Sequence, residues 1–155
     1  MAYVYTTFDR ILSVVYFFKG VVVSDNVIRE IGNGEHILFV DDEPLITALI
    51  CGFIKSIGYK ITLATSGDEA LCLFKENGNQ FDCVITDYSM DGMSGITLIS
   101  KIRLLNYDIP IIIYSGYGEL LDVVMKTDLP NIYALMKPCS LAKLSVLIKE
   151  VLKNR

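Results

Sequence analysis

The chain has a single histidine, His36, and four cysteines, Cys51, Cys72, Cys83 and Cys139, with no C-x-x-C spacing among them. That argues against a zinc site, which needs clustered His and Cys ligands. His36 reads instead as an ordinary residue at a strand start. Cys51, Cys72 and Cys83 lie in apolar stretches and read as reduced core or near-surface thiols of a cytoplasmic protein. Basic runs are missing and the net charge is −4, so no surface is expected to track a nucleic-acid backbone. Repeats and low-complexity tracts are also missing. The most apolar stretch, Ile11–Val23, is too short for an ordinary membrane span and is broken by Lys19 and Gly20. Asp9 beside Arg10 precedes it where a signal peptide would carry a basic cluster. Membrane and export roles are therefore not expected, and a packed or poorly ordered extension is.

What remains is a well-patterned globular chain. Its 155 residues are 52% hydrophobic and 21% charged, enough for one domain with a sizeable core. Gly32-Asn33-Gly34 gives a turn or linker signal. It divides an amino-terminal extension, residues 1–34, from a main domain, residues 35–155. Residues 1–34 balance three acids with three bases, so the acidic excess belongs to the main domain.

From residue 37 onward, short apolar runs alternate with helical periods. The runs are Ile37–Val40, Ile61–Ala64, Cys83–Thr86, Ile111–Tyr114 and Ile132–Leu135. The first helix opens at Glu43-Pro44, with proline suited to the first helical position. Leu45, Leu49, Ile50, Phe53, Ile54 and Ile57 form its expected apolar face, and Gly58 ends it. Ser66 with Glu69 makes a capping box for a second helix carrying Ala70, Leu71 and Phe74, closed by Gly78. A loop with Gly92 and Gly95 leads to a third, with Leu98, Ile99, Ile102 and Leu105 apolar. A weaker helix is expected from about Glu119 to Met125. Ser140 caps the last, which carries Leu141, Leu144, Ile148 and Val151. This is α/β, a (βα)5 doubly wound fold: continuous apolar strands between amphipathic helices imply a five-stranded parallel sheet covered on both faces. The flavodoxin-like order 2-1-3-4-5 is the common solution, and it makes strands one and three neighbours.

In that order Asp41 and Asp42, after the first strand, and Asp87, after the third, converge in one crevice. Converging negative charges are costly unless a cation or proton offsets them. A hard divalent cation, Mg²⁺ above all, suits oxygen ligands, and the backbone carbonyl of Ser89 can complete its shell. Asp87 can act as a nucleophile toward phosphorus. Ser115 and Lys137 follow the fourth and fifth strands, on the same sheet edge, and offer a hydroxyl donor and a point charge to phosphoryl oxygens.

Phe39-Val40-Asp41-Asp42-Glu43-Pro44, Thr86-Asp87-Tyr88-Ser89-Met90-Asp91-Gly92-Met93-Ser94-Gly95, Tyr114-Ser115-Gly116 and Met136-Lys137-Pro138 resemble the four signatures of response-regulator receiver domains. The resemblance covers about residues 35–154, and the strand order above is that family's own. It implies Mg²⁺-dependent transfer of a phosphoryl group to Asp87 from the phosphohistidine of a sensor histidine kinase or phosphotransfer protein. Asp41, Asp42 and Asp87 would hold the metal, and Ser115 and Lys137 would sense the phosphoryl group. It also implies a cis Lys137-Pro138 bond. The entry into the first strand is similar to the kinase–receiver junctions of hybrid histidine kinases. No output domain is expected after the last helix, so signalling would pass to a downstream protein partner, with a phosphorylation-dependent dimer among the assemblies implied. The chain would be no enzyme beyond its own phosphorylation and dephosphorylation. Two positions depart from the family. Asp91 stands where proline is usual. Ala134 stands where an aromatic switch residue is usual, three before the lysine, with Tyr133 facing the other side of the strand.

Three other functions compete. An aspartate-nucleophile phosphatase would carry Asp-x-Asp-x-Thr after its first strand, which Asp41-Asp42-Glu43-Pro44 does not match. A flavodoxin would need a phosphate loop there, where acidic residues repel phosphate. A degenerate receiver acting as a phosphorylation-independent docking module is kept open by Asp91 and Ala134.

Overall fold

The computed structural model describes residues 32–116 and 129–153. The expectations for the stretch Ile11–Val23 and for a helix over Glu119–Met125 lie outside the described residues. Five strands form one sheet: β1 (His36–Val40), β2 (Lys60–Ala64), β3 (Cys83–Thr86), β4 (Ile111–Ser115) and β5 (Ile132–Met136). All pairings are parallel and the order is β2-β1-β3-β4-β5, as the sequence leads one to expect. Four helices are described: α1 (Pro44–Ser56), α2 (Gly67–Asn77), α3 (Gly95–Leu105) and α4 (Leu141–Lys153).

Strand side chains alternate between two cores because the strand period is two. Ile37, Phe39, Cys83, Ile85, Ile112, Tyr114, Tyr133 and Leu135 face α1 and α4, meeting Ile50, Ile54, Leu144 and Ile148. Leu38, Val40, Val84, Ile111, Ile113 and Ala134 face α2 and α3, meeting Leu71, Phe74, Leu98 and Ile102. Every residue of β3 and β4 is buried, as parallel strands covered on both faces require.

The helix ends follow local chemistry. The Ser66 hydroxyl accepts from the Glu69 amide at 3.2 Å, and the Glu69 carboxylate accepts from the Thr65 amide at 2.7 Å. Those bonds, from the Thr65 backbone and then its side chain, hold the Glu69 carboxyl below its usual range. Gly58 ends α1 at φ 92°, the left-handed conformation that favours glycine. Gly78 does not act in that way. It has φ −56° and continues α2 into a 3-10 turn, Gly78–Gln80. His36 opens β1, an interior strand, and its ring bonds the Thr62 hydroxyl and packs edge-on to Phe81.

Two expected apolar faces are narrower than the sequence pattern suggests. The buried residues of α1 are Thr47, Ile50, Cys51 and Ile54, while Leu45 and Leu49 are exposed. Leu105 of α3 is half exposed, and its last turn buries Arg103 instead. The Arg103 guanidinium donates to the Pro130 carbonyl at 2.9 Å, tying α3 to the entry of β5. In α1 the run Leu45–Ile54 is apolar but for Thr47 and Gly52, so periodicity alone cannot choose which stripe faces the sheet. Among the described residues no helix is long and apolar enough to cross a membrane.

Two glycines give opposite expectations. A Cβ at Gly95 would overlap the Asp87 carbonyl oxygen, whereas one at Gly52, inside α1, meets nothing within 4 Å. Gly52→Ala should therefore raise stability by roughly 0.5–1 kcal/mol through helix propensity. Gly95→Ala should lower it by about 1–3 kcal/mol through overpacking. Urea unfolding midpoints of the two variants, with unchanged slope, check both.

Candidate functional site

The parallel register brings the strand ends level. Val40 pairs with Thr86, and Ser115 with Met136. The next residues, Asp41, Asp87 and Lys137, therefore leave the sheet at one edge. The Asp87 amide donates to the Val40 carbonyl at 2.9 Å and the Lys137 amide to the Ser115 carbonyl at 2.8 Å, so pairing continues through these candidate residues. The Lys137-Pro138 peptide is cis.

The side chains converge on the Lys137 ammonium. Its Nζ lies 2.8 Å from Asp87 Oδ2, 3.1 Å from Asp41 Oδ2 and 4.0 Å from Glu43 Oε1. Asp41 is 1% exposed and Asp87 8%, so these are ion pairs of the interior edge and not surface contacts. Burial pulls the Lys137 ammonium down. Its bonds to Asp87 and Asp41, and their charges, outweigh that and hold it above the ordinary lysine value. The remaining carboxylate oxygens are also held. Asp87 Oδ1 accepts from the Tyr88 amide at 2.6 Å and Asp41 Oδ1 from the Glu43 amide at 2.8 Å.

Ligand oxygens of Asp41, Glu43 and Asp87 all lie within 4.8 Å of one another. Three carboxylates against one ammonium leave two uncompensated negative charges, the charge of one divalent cation. The donor set, carboxylates only, suits a hard ion such as Mg²⁺. Glu43 was not singled out as a ligand from sequence, although it directly follows Asp42. Asp42 itself is exposed and sits outside this group, with Oδ2 accepting from the Asp91 amide at 3.2 Å. Proline has no amide hydrogen, so this contact exists because Asp91 replaces it. Ser89 is exposed in the loop after Asp87, and Ser115 is fully buried at the end of β4.

Two neighbours complete the site. The loop after Asp87 closes on the start of α3: Gly95 N–H donates to the Tyr88 carbonyl at 2.9 Å, and the Ser94 hydroxyl caps the helix. Tyr114, just before Ser115, lies with its ring beneath Lys137, Nζ being 4.9 Å from the ring centroid. Burial pushes the Tyr114 phenol up to about 12, with Cys139 beside it adding to the rise and Lys137 opposing it.

The family description "Response regulator receiver domain" matches residues 37–149. The sensor kinase CckA of Brucella abortus is 35% identical over 122 residues, 77% of this chain and 13% of that protein. A receiver-domain protein from Clostridium thermocellum superposes with a TM-score of 0.73 at 30% identity, covering 77% of this chain and 95% of that one. The response regulator TrrA of Thermotoga maritima, solved in complex with Mg²⁺ and BeF, gives 0.66 at 30% identity over 76% and 98%. The chain spans about a third or less of the length of the curated relatives it matches.

The Tyr114 phenol fixes an alkaline dependence. The folded state holds this proton more tightly than the unfolded state, whose phenol titrates near 10.0. Its contribution is therefore intact below about 10, falls as pH rises through that value and is lost past about 12. Lys137, raised above 10.5, acts in the same direction. Urea midpoints should drop as pH climbs above 10, and Tyr114→Phe should drop less steeply than wild type.

Proposed function

The chain belongs to the response regulator receiver domain family, and from that membership we propose that Asp87 is its phosphoacceptor, taking a phosphoryl group from a phosphohistidine. The observation that carries this reading is the Asp41–Lys137–Asp87 arrangement, with Nζ at 3.1 and 2.8 Å from the two carboxylates. The Asp87 carboxylate is the nucleophile. A P–O bond forms to it as the donor's P–N bond breaks, and the leaving imidazole keeps the bonding electron pair and takes up a proton. Asp41 and Asp87 would hold Mg²⁺, together with Asp42 or Glu43 and the carbonyl of Ser89. When bound, the ion offsets charge between the carboxylates and the incoming phosphoryl oxygens. Lys137 then turns its ammonium from Asp87 Oδ2 to a phosphoryl oxygen, and the Ser115 hydroxyl donates to another. Hydrolysis of the acyl phosphate by water returns Asp87 to its starting state.

Residues 35–155 would form the receiver and residues 1–34 an extension to it. The donor would be a sensor histidine kinase or phosphotransfer protein. Leu45 and Leu49, exposed on α1 directly after Glu43, offer apolar contact beside the site for such a partner. The output would pass to a downstream protein through the face of α4 and β5. Ala134 and Tyr133 lie in opposite cores, so an aromatic rotamer at the usual position takes no part. A cytoplasmic location accords with the free state of Cys51, Cys72, Cys83 and Cys139.

Intact-mass measurement after incubation with Mg²⁺ and acetyl phosphate tests this. Wild type should gain one phosphoryl group, lost again at alkaline pH as an acyl phosphate is, and Asp87→Asn should gain none. An adduct retained in Asp87→Asn would sink the assignment. No adduct on wild type, with partner binding indifferent to Asp87→Ala, would favour the docking module.

A further inference from the structure

We propose that Tyr114 is a positioning residue for Lys137, its ring face holding the ammonium over the crevice when carboxylate charge is drawn away. This rests on the reading of Asp87 as phosphoacceptor. The ring lies 4.9 Å from Nζ, within the range at which a cation is attracted to an aromatic face. Both partners are sheltered: Tyr114 is 7% exposed and the Lys137 side chain 19%. The attraction is therefore little weakened by water.

The need for such a support follows from the charges. With the crevice free, two salt bridges to Asp41 and Asp87 fix the ammonium. A divalent cation held by those carboxylates, before any phosphoryl group arrives, removes much of that attraction, and a long lysine side chain would then gain entropy by swinging outward. The ring of Tyr114 carries no ionisable charge toward Lys137 at neutral pH, so its pull survives when the carboxylates are occupied. The ring cannot readily turn away. Tyr114 is built into the core with Ile112, Tyr133 and Leu135, and its hydroxyl interacts with Cys139, two residues past Lys137. Tyr114 thus grips the Lys137-Pro138-Cys139 turn at the ring face and at the hydroxyl.

A purely structural tyrosine makes different predictions. Tyr133, on the neighbouring strand and in the same core, serves as the control for lost aromatic volume. Tyr114→Phe keeps the ring, Tyr114→Leu removes it, and a pentafluorinated phenylalanine incorporated at position 114 keeps its shape while reversing the charge of its face. Two readouts are taken: the rate of phosphoryl incorporation from acetyl phosphate with Mg²⁺, and the ring-current shift of the Lys137 side-chain resonances in the metal-free protein.

Phosphorylation should stay within about two-fold of wild type in Tyr114→Phe and Tyr133→Leu. It should slow by on the order of ten-fold in Tyr114→Leu and in the fluorinated protein. The ring-current shift should persist in Tyr114→Phe and vanish in Tyr114→Leu. Equal rates for the fluorinated and Tyr114→Phe proteins, or equal slowing of Tyr114→Leu and Tyr133→Leu, would overturn the proposal. If wild type takes up no phosphoryl group, the function reading fails, and the Lys137 resonances alone decide whether the ring positions the ammonium.

Discussion

The salt bridges from the Lys137 ammonium to Asp41 and Asp87, at 3.1 and 2.8 Å, join the ends of β1, β3 and β5. Each of those strands is an apolar run that ends in a charge, and a buried charge is tolerated only when paired. A parallel sheet in the order β2-β1-β3-β4-β5 makes the pairing automatic, because neighbouring strands finish level. The same contact leaves the crevice short of positive charge. One ammonium cannot balance Asp41, Asp87 and Glu43, and that deficit is what the proposed cation and phosphoryl group would answer.

The elements around this contact keep it in place. Gly95 lets the start of α3 come against the Asp87 backbone, which shapes the loop without adding side-chain bulk. Asp41 uses its second oxygen to fix the Glu43 amide at the start of α1, so the carboxylate that meets Lys137 also sets the helix entry. Tyr114 supports the ammonium from below. Asp91 acts in another direction: its amide hydrogen draws Asp42 toward the loop, leaving Glu43 nearer to Lys137.

Much of this was legible in the sequence, and the reasons differ by element. Strands of four or five apolar residues with turn signals between them identify β1 to β5 because parallel strands are buried on both faces. Asp41, Asp87 and Lys137 were legible because each directly follows such a run. Which side of α1 is buried was not, since Leu45 and Leu49 are as apolar as Ile50 and Ile54. Glu43 and Tyr114 were missed for a different reason. Their roles depend on a lysine almost a hundred residues away for one and on the adjacent strand for the other, and no spacing within a segment encodes either. The outward turn of Asp42 was signalled only by Asp91 in place of proline, and its consequence needed the loop's geometry.

The proposed divalent-cation site rests on two unbalanced negative charges in this crevice, with Lys137 as the only ammonium among the described residues that meets Asp41 and Asp87. Calorimetric titration with Mg²⁺ tests it directly, comparing wild type, Asp87→Asn and Lys137→Met. One ion per chain is expected for wild type, much weaker binding for Asp87→Asn, and tighter binding for Lys137→Met, whose carboxylates have lost their competing charge. Absence of binding to wild type, or equal affinity in all three proteins, would contradict it.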